Sequence, residues 1–248
     1  MEKVGWKSYL GNLLNMINLY KKELNYYLNN PIGYITVILF AIFANFFFVK
    51  DVFVISSASM KPFFNFLPWL LLVFIPALSM RIFSEEKKSN TIETLLTLPI
   101  SEADIVLAKF FALTTLVIIS LLLTFGLPFS LSLLTKVYYP EIIVGYFGVF
   151  LMSLSLLSLS MFFSNQTKNQ IIAFLLSAII IFLLLVLSTD FTASVLPRFL
   201  QDGLLSLTPF YHLQNFIKGV IDIRSVFYFV SFTGVFLFLT IVALEKRN

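Results

Sequence analysis

The feature that most constrains this chain is a set of six long apolar runs that contain no charged residue. They lie at about residues 32–49, 63–80, 110–135, 142–163, 171–189 and 226–244. An uncharged apolar run of about 18 residues or more is long enough to cross the hydrocarbon core of a bilayer as a helix. Only 12% of the residues are charged, which is about half the share found in soluble domains. The sequence therefore predicts an all-α integral membrane protein in which six transmembrane helices form one domain over residues 1–248.

Three segments depart from this plain pattern of spans. Before the first run, apolar residues recur at helical spacing among lysines and asparagines, which is typical of an amphipathic helix in the membrane interface. These apolar residues are Trp6, Leu10, Leu13, Leu14, Ile17 and Tyr20. The third run contains Gly126 and Pro128, which predict a kink or a break there. Between residues 190 and 225 the apolar pieces are too short to span, so we expect short re-entrant or interfacial helices before the sixth span.

The distribution of basic residues predicts the orientation of the chain. Six spans place both termini on one side of the membrane. If that side is the cytoplasm, the inner segments carry eleven basic residues, which are Lys3, Lys7, Lys21, Lys22, Arg81, Lys87, Lys88, Lys109, Lys168, Lys246 and Arg247. The outer loops then carry six, which are Lys50, Lys61, Lys136, Arg198, Lys218 and Arg224. Because cytoplasmic segments are enriched in Lys and Arg, we expect both termini, and the loop between spans two and three, in the cytoplasm.

The sequence lacks the motifs of the common catalytic and metal-binding sites. None of its nine glycines begins a G-x-x-x-x-G-K-[ST] phosphate-binding loop, and there is one histidine and no cysteine. The serine-hydrolase pattern G-x-S-x-G is also missing. We therefore expect no enzymatic activity and no cofactor or metal bound by this chain. The net charge of +4 relates to membrane orientation, and no nucleic-acid partner is expected.

A polar segment, EEKKSNTIETLLTLPISEAD at residues 85–104, separates two of the apolar runs. Asn90 is followed three residues later by Glu93, which predicts the capped start of a short helix. Ile92, Leu95 and Leu96 would form one apolar face of this helix. Its polar face would carry Thr91, Glu93 and Thr94.

The second half of this segment predicts a further helix. Pro99 would end the first helix. Ser101 with Asp104 would then cap a helix that runs through Lys109 into the third span. The ends of the segment carry the carboxylates Glu85, Glu86, Glu102 and Asp104. Local pattern alone leaves open an interfacial helix that only connects two spans.

Residues 68–110, PWLLLVFIPALSMRIFSEEKKSNTIETLLTLPISEADIVLAKF, resemble the signature of ABC-2 type transporter permeases. The resemblance is strongest to the branch that includes the gliding-motility permease GldF and the nitrous-oxide reductase maturation permease NosY. The matching residues are Arg81, Phe83, Glu85, Glu86, Lys87, Thr91, Ile92, Glu93, Leu95, Leu96, Thr97, Pro99, Ile100, Ile105, Val106 and Lys109. Weaker matches lie at residues 23–35, 169–174 and 216–229. Asn90 stands where the family usually has glycine, and asparagine also tolerates that turn geometry.

The resemblance implies the membrane-spanning permease subunit of an ATP-driven exporter, with six helices of the ABC-2 exporter type. The loop between spans two and three would carry the coupling helix, which docks on a separate ATPase subunit. The residues of that contact would be Glu85, Glu86, Thr91, Ile92, Glu93, Leu95, Leu96, Thr97 and Pro99. The implied partners are two copies of an ABC ATPase subunit that hold ATP and Mg, and a second permease copy or a homologous permease. An auxiliary envelope protein is a further candidate partner, and the implied location is the inner cell membrane.

Two alternatives remain open at this stage. A scaffold that uses an ATPase for mechanical work on a partner shares every sequence feature with an exporter. An intramembrane protease would use the Glu85–Glu86 pair, as prenyl-protein proteases do. No histidine lies in any predicted span, and the pair is predicted to lie in a loop, which disfavours the protease.

Overall fold

The computed structural model of the protein describes residues 2–55, 59–96, 100–134, 137–188, 203 and 205–246. Within these ranges, the side chains of residues 2–13, 51–55, 94–96 and 134 are not described. The described residues form helices and no strand, as the sequence predicts. In chain order these helices are α1 (Glu2–Asn29), α2 (Pro31–Ile55), α3 (Lys61–Ser79), α4 (Ser84–Lys88), α5 (Thr91–Leu96), α6 (Glu102–Leu123), α7 (Gly126–Leu134), α8 (Tyr139–Gln166), α9 (Gln170–Val186), α10 (Pro209–Ile217) and α11 (Ile223–Glu245).

Five segments of the described chain are long and apolar enough to cross a membrane. They are Pro31–Lys50, Lys61–Lys88, Glu102–Leu133, Tyr139–Gln166 and Ile223–Glu245. Four of them contain a predicted apolar run in full, and Glu102–Leu133 covers all but the last two residues of the run 110–135. The predicted fifth span, residues 171–189, corresponds to α9, which has 17 residues and stands at the lower limit of about 17 for a transmembrane helix. The protein is therefore a multi-pass membrane protein, and the fifth of the six predicted spans, which corresponds to α9, remains a prediction.

The third apolar run is broken, as Gly126 and Pro128 predict. Helix α6 ends at Leu123 and α7 begins at Gly126. The break is held by Thr124, whose backbone N–H donates to the carbonyl of Leu121 at 3.1 Å. The hydroxyl of Tyr146 on α8 also donates to the carbonyl of Thr124 at 3.2 Å. These bonds satisfy backbone groups that the interrupted helix leaves without partners.

Helix α8 is the centre of the fold. It contacts α3, α6, α9, α10 and α11, and 78% of its most apolar stretch is buried, compared with 28% in α2 and 11% in α11. Exposed aromatic side chains on those outer helices, such as Phe46, Phe227 and Phe238, need a hydrocarbon environment. The fold thus surrounds one buried helix with helices that face lipid.

Two glycines allow close packing against α8. A Cβ atom at Gly148 would lie 2.4 Å from the Cβ of Phe216 on α10. A Cβ at Gly145 would lie equally close, 2.4 Å, to the ring of Phe64 on α3. Small residues let helices approach closely in membranes, where dispersion contacts replace the hydrophobic effect as the driving force. α10 is the short helix expected before the last span, and its predicted interfacial position is not tested by these contacts.

Helix α1 is longer than the predicted amphipathic segment, and its described side chains pack in part on α6. Leu19 is buried in a cluster with residues of α6, and the Tyr20 hydroxyl lies 2.9 Å from the hydroxyl of Thr115 on α6. Leu14 and Ile17, which belong to the predicted apolar stripe, are exposed. Of the predicted stripe, Tyr20 therefore packs on α6, whereas Leu14 and Ile17 do not pack on the rest of the chain. The side chains of Trp6, Leu10 and Leu13 lie outside the described residues, and the interfacial position of α1 remains a prediction.

Candidate functional site between α3 and α6

Residues 80–101 connect α3 to α6. The first part of this connection, residues 80–96, is called the elbow below. Its first turn is held by the end of α8. The hydroxyl of Ser164 accepts from the backbone N–H of Phe83 at 3.3 Å and of Ser84 at 3.4 Å, and donates to the carbonyl of Met80 at 3.0 Å. The amides at the start of a helix have no partner within that helix. Ser164 therefore supplies a hydrogen-bond acceptor to the first amides of α4, as an N-cap side chain normally does.

Lys87 connects the elbow to two spans. It is buried, and its ammonium donates to both the backbone carbonyl and the side-chain oxygen of Asn165 on α8. The Asn165 amide nitrogen in turn donates to the carbonyl of Thr240 on α11 at 3.3 Å. Hydrogen bonds therefore connect the elbow to α8 and α11.

A buried charge cluster connects the elbow to α1 and α6. The ammonium of Lys109 on α6 lies 3.0 Å from Oε1 of Glu23 on α1 and 2.8 Å from Oε1 of Glu86 on α4. It also donates to the carbonyl of Ile82 at 3.1 Å, and it lies 5.4 Å from the centre of the Phe83 ring. The Lys109 side chain is 1% exposed and that of Glu23 is 8% exposed. Breaking such a buried pair by removing one partner typically costs about 3–5 kcal/mol.

Glu85 lies at the outer side of the elbow and pairs with α1. Its Oε2 accepts from the Tyr26 hydroxyl at 3.0 Å and lies 4.0 Å from the guanidinium of Arg81. Desolvation and the hydrogen bond to the Glu85 carboxylate raise the pKa of Tyr26. With 39% of its side chain exposed, Glu85 remains accessible to a partner.

The turn between α4 and α5 corrects one prediction. Asn90 has φ 57°, which is the left-handed conformation that ends a helix, whereas an N-cap residue is extended. The predicted Asn90–Glu93 capping box is therefore wrong, because the turn that follows α4 places this backbone in the left-handed region. The glycine-like turn geometry expected at Asn90 is confirmed. The Thr91 hydroxyl lies 2.8 Å from that of Ser89 and 3.4 Å from the carbonyl of Glu86.

The residues predicted to contact an ATPase are distributed over two environments. Thr91 and Glu93 are exposed on α5. Ile92 is half-buried and packs against the main core, and Glu86 is turned towards Lys109 with 19% of its side chain exposed. Leu95 and Leu96 lie on α5, but their side chains are outside the described residues, as are Thr97 and Pro99 altogether. Contact of these residues with an ATPase remains a prediction.

The second predicted cap is confirmed. Ser101 is extended, with φ −70° and ψ 151°, and stands immediately before α6. Its hydroxyl accepts from the backbone N–H of Asp104 at 3.2 Å and donates to the Asp104 carboxylate at 2.7 Å. This cap fixes the start of the helix that carries Lys109.

Four polar residues of the site were not identified from sequence. They are Glu23, Ser164, Asn165 and Thr240. Lys109 borders a long apolar run, so a buried counter-ion could have been expected. Nothing in the local pattern distinguishes Glu23 from the other carboxylates, because Glu23 and Lys109 are brought together only when α1 packs on α6.

A family model described as "ABC-2 family transporter protein" matches residues 17–247 of the chain. The matched region includes Glu23, the whole elbow, Lys109 and the polar ends of α8 and α11. No curated protein matches the chain.

Proposed function

The chain belongs to the ABC-2 family of transporter proteins, and from this membership we propose that it is the membrane-spanning permease subunit of an ATP-binding-cassette exporter. It would couple ATP hydrolysis by a separate ATPase subunit to substrate export or to work on the cell envelope. The nucleotide and its Mg would be held by two ATPase copies, since this chain has no phosphate-binding loop. A second permease, identical or homologous, would complete the membrane part, with an auxiliary envelope protein as a further candidate. Within the family, the GldF/NosY-like branch is the proposed placement.

The observation that carries this proposal is the set of buried polar contacts behind the elbow. Lys109 joins α4 to α1 and α6, and Lys87 joins α4 to α8 and, through Asn165, to α11. A force applied to α5 would therefore reach four long helices through charged or hydrogen-bonded contacts. An interfacial helix that only connected two spans would not need such an anchor. α5 is accordingly the proposed coupling helix, with α9 as the fifth of six spans.

We expect the purified chain to hydrolyse no ATP and to co-purify with a soluble ATPase subunit. The physical reason is that the coupling segment is present while the phosphate-binding loop is missing from the sequence. The measurement is phosphate release by the chain alone and by the complex, with an ATPase-inactive complex as the control for contamination. ATP turnover by the chain free of other proteins would contradict the proposal.

We expect both termini in the cytoplasm, from the eleven-to-six distribution of basic residues. Single cysteines at the exposed positions Lys21 and Lys168 should react with an impermeant thiol reagent only after the membrane is opened. Single cysteines at the exposed positions Lys61 and Lys218 should react in intact cells. The chain contains no cysteine, so the wild type is the unlabelled control. Labelling of position 168 from outside would overturn both the orientation and the assignment of α5.

The mechanical alternative shares this site. A scaffold driven by an ATPase would use the same elbow, and the two proposals differ only in whether a cargo crosses the membrane. Reconstitution of the complex into vesicles distinguishes them, because ATP-dependent accumulation of a cargo is expected only from an exporter. The protease alternative is not favoured, since Glu86 is engaged with Lys109 and Glu85 with Tyr26.

A further inference from the structure

A cavity of about 300 Å³ lies between α1 and the elbow. The charged and aromatic residues that line it include Lys22, Tyr26, Tyr27, Arg81, Glu85 and Glu86. Its lining also includes Thr91 at the start of α5, and Glu23 and Ile82, which contact Lys109.

Three buried polar atoms at this cavity have no hydrogen-bond partner among the described residues. They are the hydroxyl of Tyr27, Nε of Arg81 and Oε2 of Glu86. Tyr27 is 3% exposed, so bulk water does not solvate its hydroxyl. Buried polar groups are almost always hydrogen-bonded in proteins. Three such atoms on one cavity therefore indicate that something polar occupies it.

The chemistry of these atoms specifies the occupant. Arg81 Nε is a cationic donor, and the ion pair of Arg81 with Glu85 is long, at 4.0 Å. Together with Lys22 it favours an anionic oxygen, as phosphate provides. Glu86 Oε2 is an anionic acceptor and favours an ammonium that still carries N–H donors. The Tyr27 hydroxyl can serve either group. The complementary ligand thus carries one phosphate and one primary ammonium.

The position of the cavity indicates that this ligand is part of a lipid. Tyr26 and Tyr27 stand one helical turn before α2 begins at Pro31, and Arg81 follows the end of α3 at Ser79. The predicted apolar runs 32–49 and 63–80 therefore begin and end, respectively, at the level of the cavity. Tyrosines are enriched at this level, where phospholipid headgroups lie, and Tyr26 is exposed there.

We propose that this cavity binds the headgroup of a phospholipid with a phosphate ester and a primary ammonium, as in phosphatidylethanolamine. The phosphate lies against Arg81 and Lys22, and the ammonium donates to Oε2 of Glu86. The site is a lipid site at the junction of α1 and the elbow. It shares Glu85, Glu86 and Thr91 with the segment predicted to contact the ATPase, but lipid binding requires neither an ATPase nor a transported cargo.

Lipid binding to the purified, delipidated protein tests this assignment. Retention of short-chain phosphatidylethanolamine, phosphatidylcholine and phosphatidylglycerol is measured by native mass spectrometry, with free phosphoethanolamine as a fourth probe. Phosphatidylcholine has the same charges but no N–H donor, so we expect it to bind about tenfold or more weakly than phosphatidylethanolamine. Equal binding of these two lipids, or of free phosphoethanolamine and the lipid, would overturn the proposal.

Two variants locate the binding. Tyr27→Phe removes one hydroxyl without changing the ring, and should weaken phosphatidylethanolamine binding about three- to tenfold. Arg81→Gln should weaken it by more than about tenfold, because it removes a charge-assisted bond. Lys88→Gln removes an exposed positive charge of the elbow that does not line the cavity and should leave binding unchanged. Thermal unfolding curves check that each variant is folded. If folded Tyr27→Phe and Arg81→Gln bind the lipid like the wild type, the lipid does not occupy this cavity.

Discussion

Replacement of Lys109 by methionine is expected to lower the stability of the protein by about 3–5 kcal/mol. Methionine approximates the length of lysine, so the change removes the charge and leaves Glu23 and Glu86 facing each other without a cation. Both carboxylates are largely buried. For a chain of this size, about 2–4 °C of melting temperature corresponds to each kcal/mol. The measurement is thermal unfolding in detergent, with an expected decrease of about 10 °C.

A matched control and a rescue make this test specific. Lys88→Met removes an exposed lysine of the same elbow and should change stability by less than about 0.5 kcal/mol. Adding Glu23→Gln and Glu86→Gln to Lys109→Met removes the uncompensated charges and should recover most of the loss. A Lys109→Met protein that melts with the wild type would show that the cluster does not anchor the elbow.

Replacement of Leu95 by aspartate is expected to release the ATPase. If Leu95 fills an apolar cleft on that subunit, the variant would bury an unpaired carboxylate at the contact, which costs several kcal/mol. Because each 1.4 kcal/mol is about a factor of ten in affinity, binding should fall by orders of magnitude. Membrane insertion should not change, since α5 is proposed to lie outside the hydrocarbon. The measurement is a pull-down of the ATPase by the detergent-extracted permease.

Glu93→Ala is the matched control on the same helix. Glu93 is exposed and does not form a capping box with Asn90, whose φ is 57°. Its removal should therefore change stability by about 0.5 kcal/mol or less and weaken ATPase binding far less than Leu95→Asp. If Leu95→Asp is folded and retains the ATPase like the wild type, α5 is not the coupling helix.

The family motif of the elbow combines two kinds of residue. Lys87, Glu86 and Lys109 lie inward and make buried contacts with α1, α6 and α8. Thr91 and Glu93 lie outward and are exposed. The inward residues thus give charged side chains of this segment a packing role that is separate from the proposed docking on an ATPase. Variants of the inward residues should lower the stability of the protein. Variants of the outward residues should leave stability unchanged and affect only ATPase binding.

The positions of the membrane-spanning helices were predictable from the sequence because hydrocarbon imposes a local rule. Every backbone polar group in the bilayer must be bonded within the segment, so a long uncharged run can only be a helix. The break before Gly126 and the Ser101 cap were also predictable, because each depends only on residues a few positions apart in the chain. The fifth predicted span remains a prediction because α9, with 17 residues, stands at the lower length limit for crossing the bilayer.

Only the tertiary structure decided which charges are buried and what holds them. Lys109 and Glu23 are 86 residues apart in the chain, and Lys87 and Asn165 are 78 apart, so no local pattern connects them. The capping box at Asn90 was mispredicted because the end of α4, and not the start of α5, sets the backbone there. The length and composition of each apolar run determine which segments enter the membrane, since that depends on each residue's own transfer free energy. Helix packing determines which polar atoms meet, since a buried charge is stable only beside a partner that the fold supplies.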